Sequence, residues 1–306
     1  MSGEAGRPVE RLAPAKVNLT LRVTGRRPPG GPQGGYHELD SLIVFAAVGD
    51  RIRLAPAEGL SLALSGPFAG QLADEPPEGN LALRAARRLA ELAGRSPGVA
   101  IALEKNLPVA AGIGGGTADA AAVIDGLCAL WSLPTADLDL SALTEALGAD
   151  LPVCLAGRPC RVSGIGERVE PLPPLPEAAL LLVNPRKPLP TPAVFEARRG
   201  GFSPPLALPA GAPWRFSALA ALVAEGGNDL TAAAEAVCPA VGGVLAALRA
   251  LDPPALGMSG SGATCFALYP TLAAAEAEAV RLAQTPDAAG WWIAPAALLR
   301  PAAGAA

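Results

Sequence analysis

The stretch from Leu107 to Leu127, LPVAAGIGGGTADAAAVIDGL, places Gly112, Gly114, Gly115 and Gly116 directly ahead of an alanine-rich apolar run. A helix start leaves backbone N–H groups without intrahelical partners, and the aligned peptide dipoles put about half a positive charge there. Glycines just upstream remove the Cβ atoms that would hold an anion away and permit positive φ, so successive N–H groups can converge on phosphate oxygens. The segment reads as an anion cradle, with the Thr117 hydroxyl beside it; a tight strand-to-helix turn would use the same glycines. Two familiar phosphate loops do not fit. No lysine follows Gly116, as a Walker loop requires, and counting G-x-G-x-x-G from Gly112 puts Thr117 where the last glycine belongs. Positive charge must come from elsewhere in the chain or from a metal ion.

Phosphoryl transfer needs positioning, charge neutralisation and often a base near the acceptor hydroxyl. Lys16, in APAKVNL, opens an otherwise apolar strand pattern, where an ammonium is costly unless paired or used. Asp150, in LGADLPVCL, follows Gly148 and precedes another apolar run. Taken singly, Lys16 reads equally as a solvated strand-end charge and Asp150 as a turn former before Pro152. The chain has one histidine, His37, in YHELD. That excludes multi-histidine metal sites and forces any Ser-His-Asp or Cys-His hydrolase to be built on this single ring. Beside Tyr36, the ring suits stacking on and hydrogen bonding to a pyrimidine; a surface ring at a strand end would look the same.

Four segments in this order, PAKVNLTL, LPVAAGIGGGTADAA, GADLPVCL and GMSGSGATCFA, resemble the motifs of the GHMP small-molecule kinases over most of the chain, from about Ala13 to Tyr269. The resemblance implies an α+β, two-domain fold: an N-terminal ATP-binding domain, ribosomal protein S5 domain 2-like, over 1–170, and a ferredoxin-like C-terminal domain over 171–306. It implies an ATP- and Mg²⁺-dependent kinase, and the details point to the branch that phosphorylates the 2-hydroxyl of a cytidylyl methylerythritol in non-mevalonate isoprenoid precursor synthesis. By the same resemblance, Asp150 accepts the hydroxyl proton while Lys16 holds it ionised and steadies the phosphoryl group. Asn18, Tyr36, His37, Thr191 and Phe195 face the substrate. Asn80, Lys105, Pro108, Gly112, Gly114, Gly115, Gly116 and Thr117 lie on the ATP side, with Thr117 a candidate metal ligand. Asn80 also reads as a simple helix cap, LPTPAVF as a Pro-capped helix start, and MSGSGA as a plain hairpin.

The chain departs from that family at three places. Thr117 and Ala118 stand where two serines are usual, PPGGPQG lengthens the loop before Tyr36, and Thr231 stands where an acid is common. Rival readings are another GHMP kinase, acting on homoserine, mevalonate or a sugar, and a non-catalytic nucleotide-binding protein on the same scaffold. The GYH and LPTPAVF segments weigh against the first; Lys16 and Asp150 weigh against the second.

These residues need strands and helices to hold them. Alternating apolar runs predict strands over 16–23, 39–48, 51–56, 60–65 and 98–106. Helical spacing predicts helices over 80–94, capped by Asn80 and stopped at Gly94, over 117–131, and over 140–148 with Ser141 or Asp139 as cap. PLPPLPE, 171–177, reads as a stiff linker. Beyond it are expected a strand over 178–185, helices within 191–199, 216–225 and 229–250, strands at 255–258 and 263–269 about the SGSG turn, a helix over 272–284 and a strand near 291–294.

Composition narrows the partners. A hydrophobic content of 51% in 306 residues supports a full core, and a net charge of −4 with no basic run gives no footprint for nucleic acid or an anionic membrane. The expected partner is a small molecule. The five cysteines form no C-x-x-C pair and read as reduced thiols filling the core. The N-terminal MSGEAGRPVERLAP has no apolar signal core, so a cytoplasmic protein is expected.

Overall fold

The computed structural model describes residues 7–300 apart from 32, 74, 136–137, 210 and 212. The first six residues of the N-terminal segment read above lie outside that set. The described residues fall into two compact units that alternate along the chain: 7–15, 49–109 and 114–156 make one, and 16–48, 110–113 and 157–300 the other. In the second unit, 16–48 and 110–113 pack with the C-terminal residues.

In the first unit, residues 51–56 of β2 (His37–Pro56) pair antiparallel with β4 (Val99–Glu104), with Arg51 opposite Glu104 and Pro56 opposite Val99. β3 (Ser61–Ser65) runs parallel to β4. The buried side chains of β4 alternate, as expected for a sheet covered on one face. Helices α1 (Leu81–Leu92), α2 (Gly115–Trp131), α3 (Leu140–Leu147) and α4 (Leu151–Ala156) complete the unit. Asn80 caps α1, its side chain accepting from Ala82 N at 2.9 Å, and Asp139 caps α3 by accepting from Ala142 N at 3.0 Å. α2 is buried from Ala118 through Cys128 on most of its circumference, which its small side chains allow.

In the second unit, β1 (Val9–Arg26) contributes its later half, and residues 39–43 of β2 pair with β5 (Cys160–Gly164), which pairs with β6 (Arg168–Pro171). A separate antiparallel sheet has the order β10-β7-β9-β8, formed by β7 (Ala179–Asn184), β8 (Ala255–Met258), β9 (Cys265–Tyr269) and β10 (Trp292–Ala297). With α8 (Ala240–Arg249) between β7 and β8 and α9 (Leu272–Ala283) between β9 and β10, this is the ferredoxin-like β-α-β-β-α-β order. Every residue of β7 is buried, as befits a central strand in ALLLVN. Its core joins Leu181, Val183, Val241, Leu245, Cys265 and Leu282. The remaining helices are α5 (Thr191–Ala197), α6 (Phe216–Gly226) and α7 (Thr231–Val237).

Some expectations are corrected. The strands predicted over 39–48 and 51–56 are one strand, because the backbone stays extended through Gly49 and Asp50. The helix expected over 229–250 is two, α7 and α8. Pro239 lacks an N–H and disfavours helical geometry in the residue before it, and Cys238 sits at φ −135°. The last strand runs to Ala297 through Pro295, tolerated because β10 is an edge strand. β5, β6 and α4 had no counterpart in the sequence reading. The five cysteines are buried, and among the described residues no helix is long and apolar enough to cross a membrane.

Candidate active site

The glycine loop takes the conformation its composition suggests. Gly112 has φ +73° and Gly114 φ +65°, and α2 begins at Gly115 with no side chain capping its first N–H groups. Gly116 is exposed and Thr117 half-buried at the helix start. The left-handed residues turn the chain while leaving those amides unclaimed by side-chain caps.

Beneath that start lies a buried charge cluster. The Lys105 ammonium is held between the Asp50 and Asp119 carboxylates, 2.7 Å from Asp119 Oδ2 and in contact with Asp50 Oδ2. Asp50 Oδ1 accepts from Asn106 N at 2.6 Å and Leu107 N at 2.8 Å, so one carboxylate fixes the backbone entering the loop. Burial works against the Lys105 charge, but Asp119 and Asp50 more than offset it and hold its pKa above the ordinary lysine value. Burial, with the Asp50 charge adding to it, pushes Asp119 up to about 8 despite the nearby ammonium. Asp119 Oδ1 is buried without a hydrogen-bond partner. Lys105 thus supports the loop from below. Asp50 escaped the sequence reading; the signal was a carboxylate interrupting the apolar strand pattern in AAVGDRIRL.

In the second unit, Lys16 and Asn18 are buried on β1. Lys16 Nζ donates to Asn18 Oδ1 at 3.3 Å, Asn18 Nδ2 donates to Ser41 Oγ at 2.7 Å, and Asn18 N donates to Ser259 Oγ at 3.0 Å. Ser259 belongs to MSGSGA, which forms the turn between β8 and β9 and packs on the first part of the glycine loop. Ser259 Oγ donates to Gly112 O at 2.9 Å, and Thr264 N donates to Ala111 O at 3.1 Å. Asn228, in the GNDL stretch to which the sequence reading gave no role, holds this turn: its Nδ2 donates to Met258 O and Gly260 O, both at 2.8 Å. Lys16 N donates to Ile113 O at 3.0 Å, so the strand carrying the lysine is tied to the same loop.

Of the residues expected on the substrate side, Tyr36, His37, Thr191 and Phe195 come together within the second unit, while Asn18 is not among the residues that line their cavity. A cavity of about 870 Å³ is lined by Tyr36, His37, Thr191 and Phe195, together with Arg26, Arg198 and other residues. His37 stacks on Phe195 with ring centroids 5.1 Å apart and planes 25° apart. Tyr36 is 61% exposed, so its ring faces open space. Burial, then the Arg26 and Arg198 charges, lower the His37 pKa and keep the imidazole neutral near pH 7, with one nitrogen donating and one accepting. The Thr191 hydroxyl shares a hydrogen bond of 2.7 Å with Ser261 Oγ.

The remaining candidates are placed but not drawn into this cavity. Asp150 immediately precedes α4, its carbonyl accepting from Cys154 N at 3.0 Å, and belongs to the first unit, whereas Lys16 belongs to the second. Asn80 caps α1 through its oxygen, leaving the amide nitrogen for other use. Pro108 is buried where the loop begins.

Residues 80–158 match the GHMP kinases N terminal domain and residues 215–287 the GHMP kinases C terminal. The chain is 52% identical over 290 residues to the 4-diphosphocytidyl-2-C-methyl-D-erythritol kinase of Paramagnetospirillum magneticum, covering 94% of this chain and 97% of that protein. The chain belongs to the GHMP kinases. A second kinase of the same name, from Rhodospirillum rubrum, is 48% identical over 285 residues, 93% of this chain and 90% of its own. Among solved structures, a 4-(cytidine 5'-diphospho)-2C-methyl-D-erythritol kinase matches this GHMP kinase with a TM-score of 0.76 and 37% identity, over 94% of this chain and 98% of that one. A homoserine kinase from Cytophaga hutchinsonii matches with a TM-score of 0.67 at 19% identity, over 98% and 96% of the two chains, and shares the fold.

Proposed function

We propose that this GHMP kinase transfers the γ-phosphoryl group of ATP to the 2-hydroxyl of 4-diphosphocytidyl-2-C-methyl-D-erythritol, a step of non-mevalonate isoprenoid precursor synthesis, in the cytoplasm. The observation that carries the reading is the cavity in which Tyr36, His37, Thr191 and Phe195, from two segments far apart in sequence, surround a space suited to a pyrimidine. A neutral imidazole stacked at its edge offers both a donor and an acceptor to cytosine, and the exposed Tyr36 ring offers a second stacking face. Relatives about half identical over almost the whole chain carry the corresponding name.

ATP would supply the phosphoryl group and Mg²⁺ the charge neutralisation that transfer requires. Among the described residues no cluster of three or more His, Cys, Asp or Glu could hold a metal. Mg²⁺ keeps water and phosphate oxygens in its shell; the Thr117 hydroxyl, half-buried at the start of α2, is its protein ligand in this proposal. The amides of Gly114, Gly115 and Gly116 receive phosphate oxygens, with Gly112 and Pro108 shaping the loop and Lys105 fixing it from beneath. The Asn80 amide serves the adenine side. Asp150 orients the acceptor hydroxyl and takes its proton as the oxygen–phosphorus bond forms and the bond to ADP breaks. Lys16, positioned through Asn18, steadies the transferring group. The functional division at 170/171 follows the two family matches, which lie on either side of it.

An assay of ADP release with the cytidylyl substrate, homoserine and mevalonate tests the assignment. Turnover with the cytidylyl compound at a kcat/KM at least about 10³-fold above the others is expected of a site that hydrogen-bonds its base. Comparable rates with homoserine or mevalonate would overturn it.

A further inference from the structure

The cavity beside His37 and Phe195 carries more charge than recognition of a neutral base requires. Arg26, Arg198 and Arg199 all line it, with Glu196 the only carboxylate among its lining residues. Each guanidinium is held by backbone carbonyls: Arg26 Nε donates to Gly35 O at 2.9 Å, Arg198 Nη2 donates to Gly201 O, and Arg199 Nη1 donates to Glu196 O at 2.7 Å and Arg198 O at 3.0 Å. Arg198 also lies over the Phe202 ring, 5.7 Å from its centroid. Among the described residues none of the three is within ion-pair distance of a carboxylate.

Some other arginines of this unit are neutralised, while Arg22, like these three, donates to backbone carbonyls. Arg27, next in sequence to Arg26, pairs with Glu167 and Glu38, and Arg161 makes two hydrogen bonds to Asp40, at 2.8 Å and 2.6 Å. The cavity therefore keeps a net positive charge that its surroundings do not cancel. One donor has no partner at all: Arg198 Nε is buried and unbonded. Carbonyl bonds fix where the side chains lie without removing their charge, and a guanidinium held in that way is suited to bidentate contact with phosphate oxygens.

We propose that Arg26, Arg198 and Arg199 form the diphosphate-recognition rim of this cavity, so that the enzyme selects a nucleoside diphosphate ester over the nucleoside or its monophosphate. The inference rests on the proposed cytidylyl substrate and adds the group that distinguishes it from other cytidine compounds. The same charges that favour the diphosphate oppose protonation of His37, so one electrostatic arrangement serves the anion and the neutral base together. These are binding residues: their removal raises KM and leaves kcat at saturation nearly unchanged.

The test measures binding of cytidine, CMP and CDP, by competition against the cytidylyl substrate, for the full chain and for Arg198→Ala/Arg199→Ala, Arg26→Gln and Arg198→Lys. For the unsubstituted enzyme, CDP should bind at least about tenfold more tightly than cytidine, since charge-assisted contacts to phosphate oxygens are among the stronger hydrogen bonds. In the double variant CDP affinity should fall about tenfold or more and KM should rise with it, while cytidine affinity and kcat stay within about threefold. Arg26→Gln should shift the same ratio to a smaller extent, and Arg198→Lys should retain part of it. An unchanged ratio of CDP to cytidine affinity in both the double variant and Arg26→Gln overturns the rim. So does equal weakening of both ligands, which would mark a collapsed cavity. If the unsubstituted enzyme turns over the cytidylyl substrate and the ratio does not move, only the arginine assignment falls. If it neither binds cytidine nor turns over that substrate, the proposed function falls first.

Discussion

A carboxylate beside an acceptor alcohol accelerates phosphoryl transfer by orienting the nucleophile and taking its proton, so the role given to Asp150 predicts a specific failure. Asp150→Asn should fold and bind ATP normally while turnover drops by about 10²-fold or more. Single-turnover kinetics beside an ATP titration check this, and near-normal turnover would remove Asp150 from the mechanism. Asp119 makes a different prediction, about stability. Its pKa is raised from 3.8 to about 8, so folding binds a proton between those values. The associated stabilisation is complete below the lower pKa and is lost as pH rises through the upper one, at up to about 1.4 kcal/mol per pH unit. Asp119→Asn carries no such titration. Denaturation midpoints of the two proteins should therefore converge, or cross in favour of the variant, between pH 5 and about 8 and then run parallel; a constant difference across that range would show that Asp119 is ionised throughout. The residues legible in sequence were those in short motifs with a chemical reason for their type: Lys16, Asp150, His37 and the glycines. Asp50 and the three arginines were not, because a carboxylate that caps two amides and a guanidinium without a counter-charge are defined by their neighbours in space.

The elements place the glycine loop against the β8–β9 turn, and that packing has a sharp steric requirement. A Cβ on Gly112 would lie 2.5 Å from Gly262 O and 2.6 Å from Ser259 O, at φ +73°. Gly112→Ala should thus destabilise the protein by about 2 kcal/mol or more, combining left-handed strain with a clash against backbone that cannot rotate away. Gly94, after α1, has φ +61° and open space around its Cβ position. Gly94→Ala should cost only the conformational strain, about 1 kcal/mol. Urea denaturation of both variants separates the two effects, and equal losses would mean that the loop yields at Gly112. Helices with a cap and a glycine stop, such as α1, were readable to within a residue or two, as were strands with clean apolar runs such as β7. The short strands β5 and β6 were missed because CRVSG and RVEP carry too few apolar positions to show a period. The division between α7 and α8 was signalled by Pro239 and overlooked within a longer apolar pattern.

For the whole molecule, the α+β class and the ferredoxin-like order of the later sheet follow from strands and helices that the sequence places in turn. The interleaving of the two compact units does not. Segments 16–48 and 110–113 join the C-terminal residues through backbone bonds such as Leu21 N to Gly227 O and Thr264 N to Ala111 O, and hydrogen bonds between distant main-chain atoms leave no trace in side-chain periodicity. At this scale the chemistry is one reaction: transfer of one phosphoryl group to the tertiary 2-hydroxyl of the cytidylyl methylerythritol. Phosphorus NMR of the product formed with ATP reads this directly. A phosphomonoester on a tertiary carbon has no proton on that carbon to couple with, so a single new resonance without three-bond proton splitting is expected, beside an intact diphosphate pair. A proton-split phosphomonoester would place the group on another hydroxyl, and no new resonance despite bound ATP would contradict the kinase assignment itself.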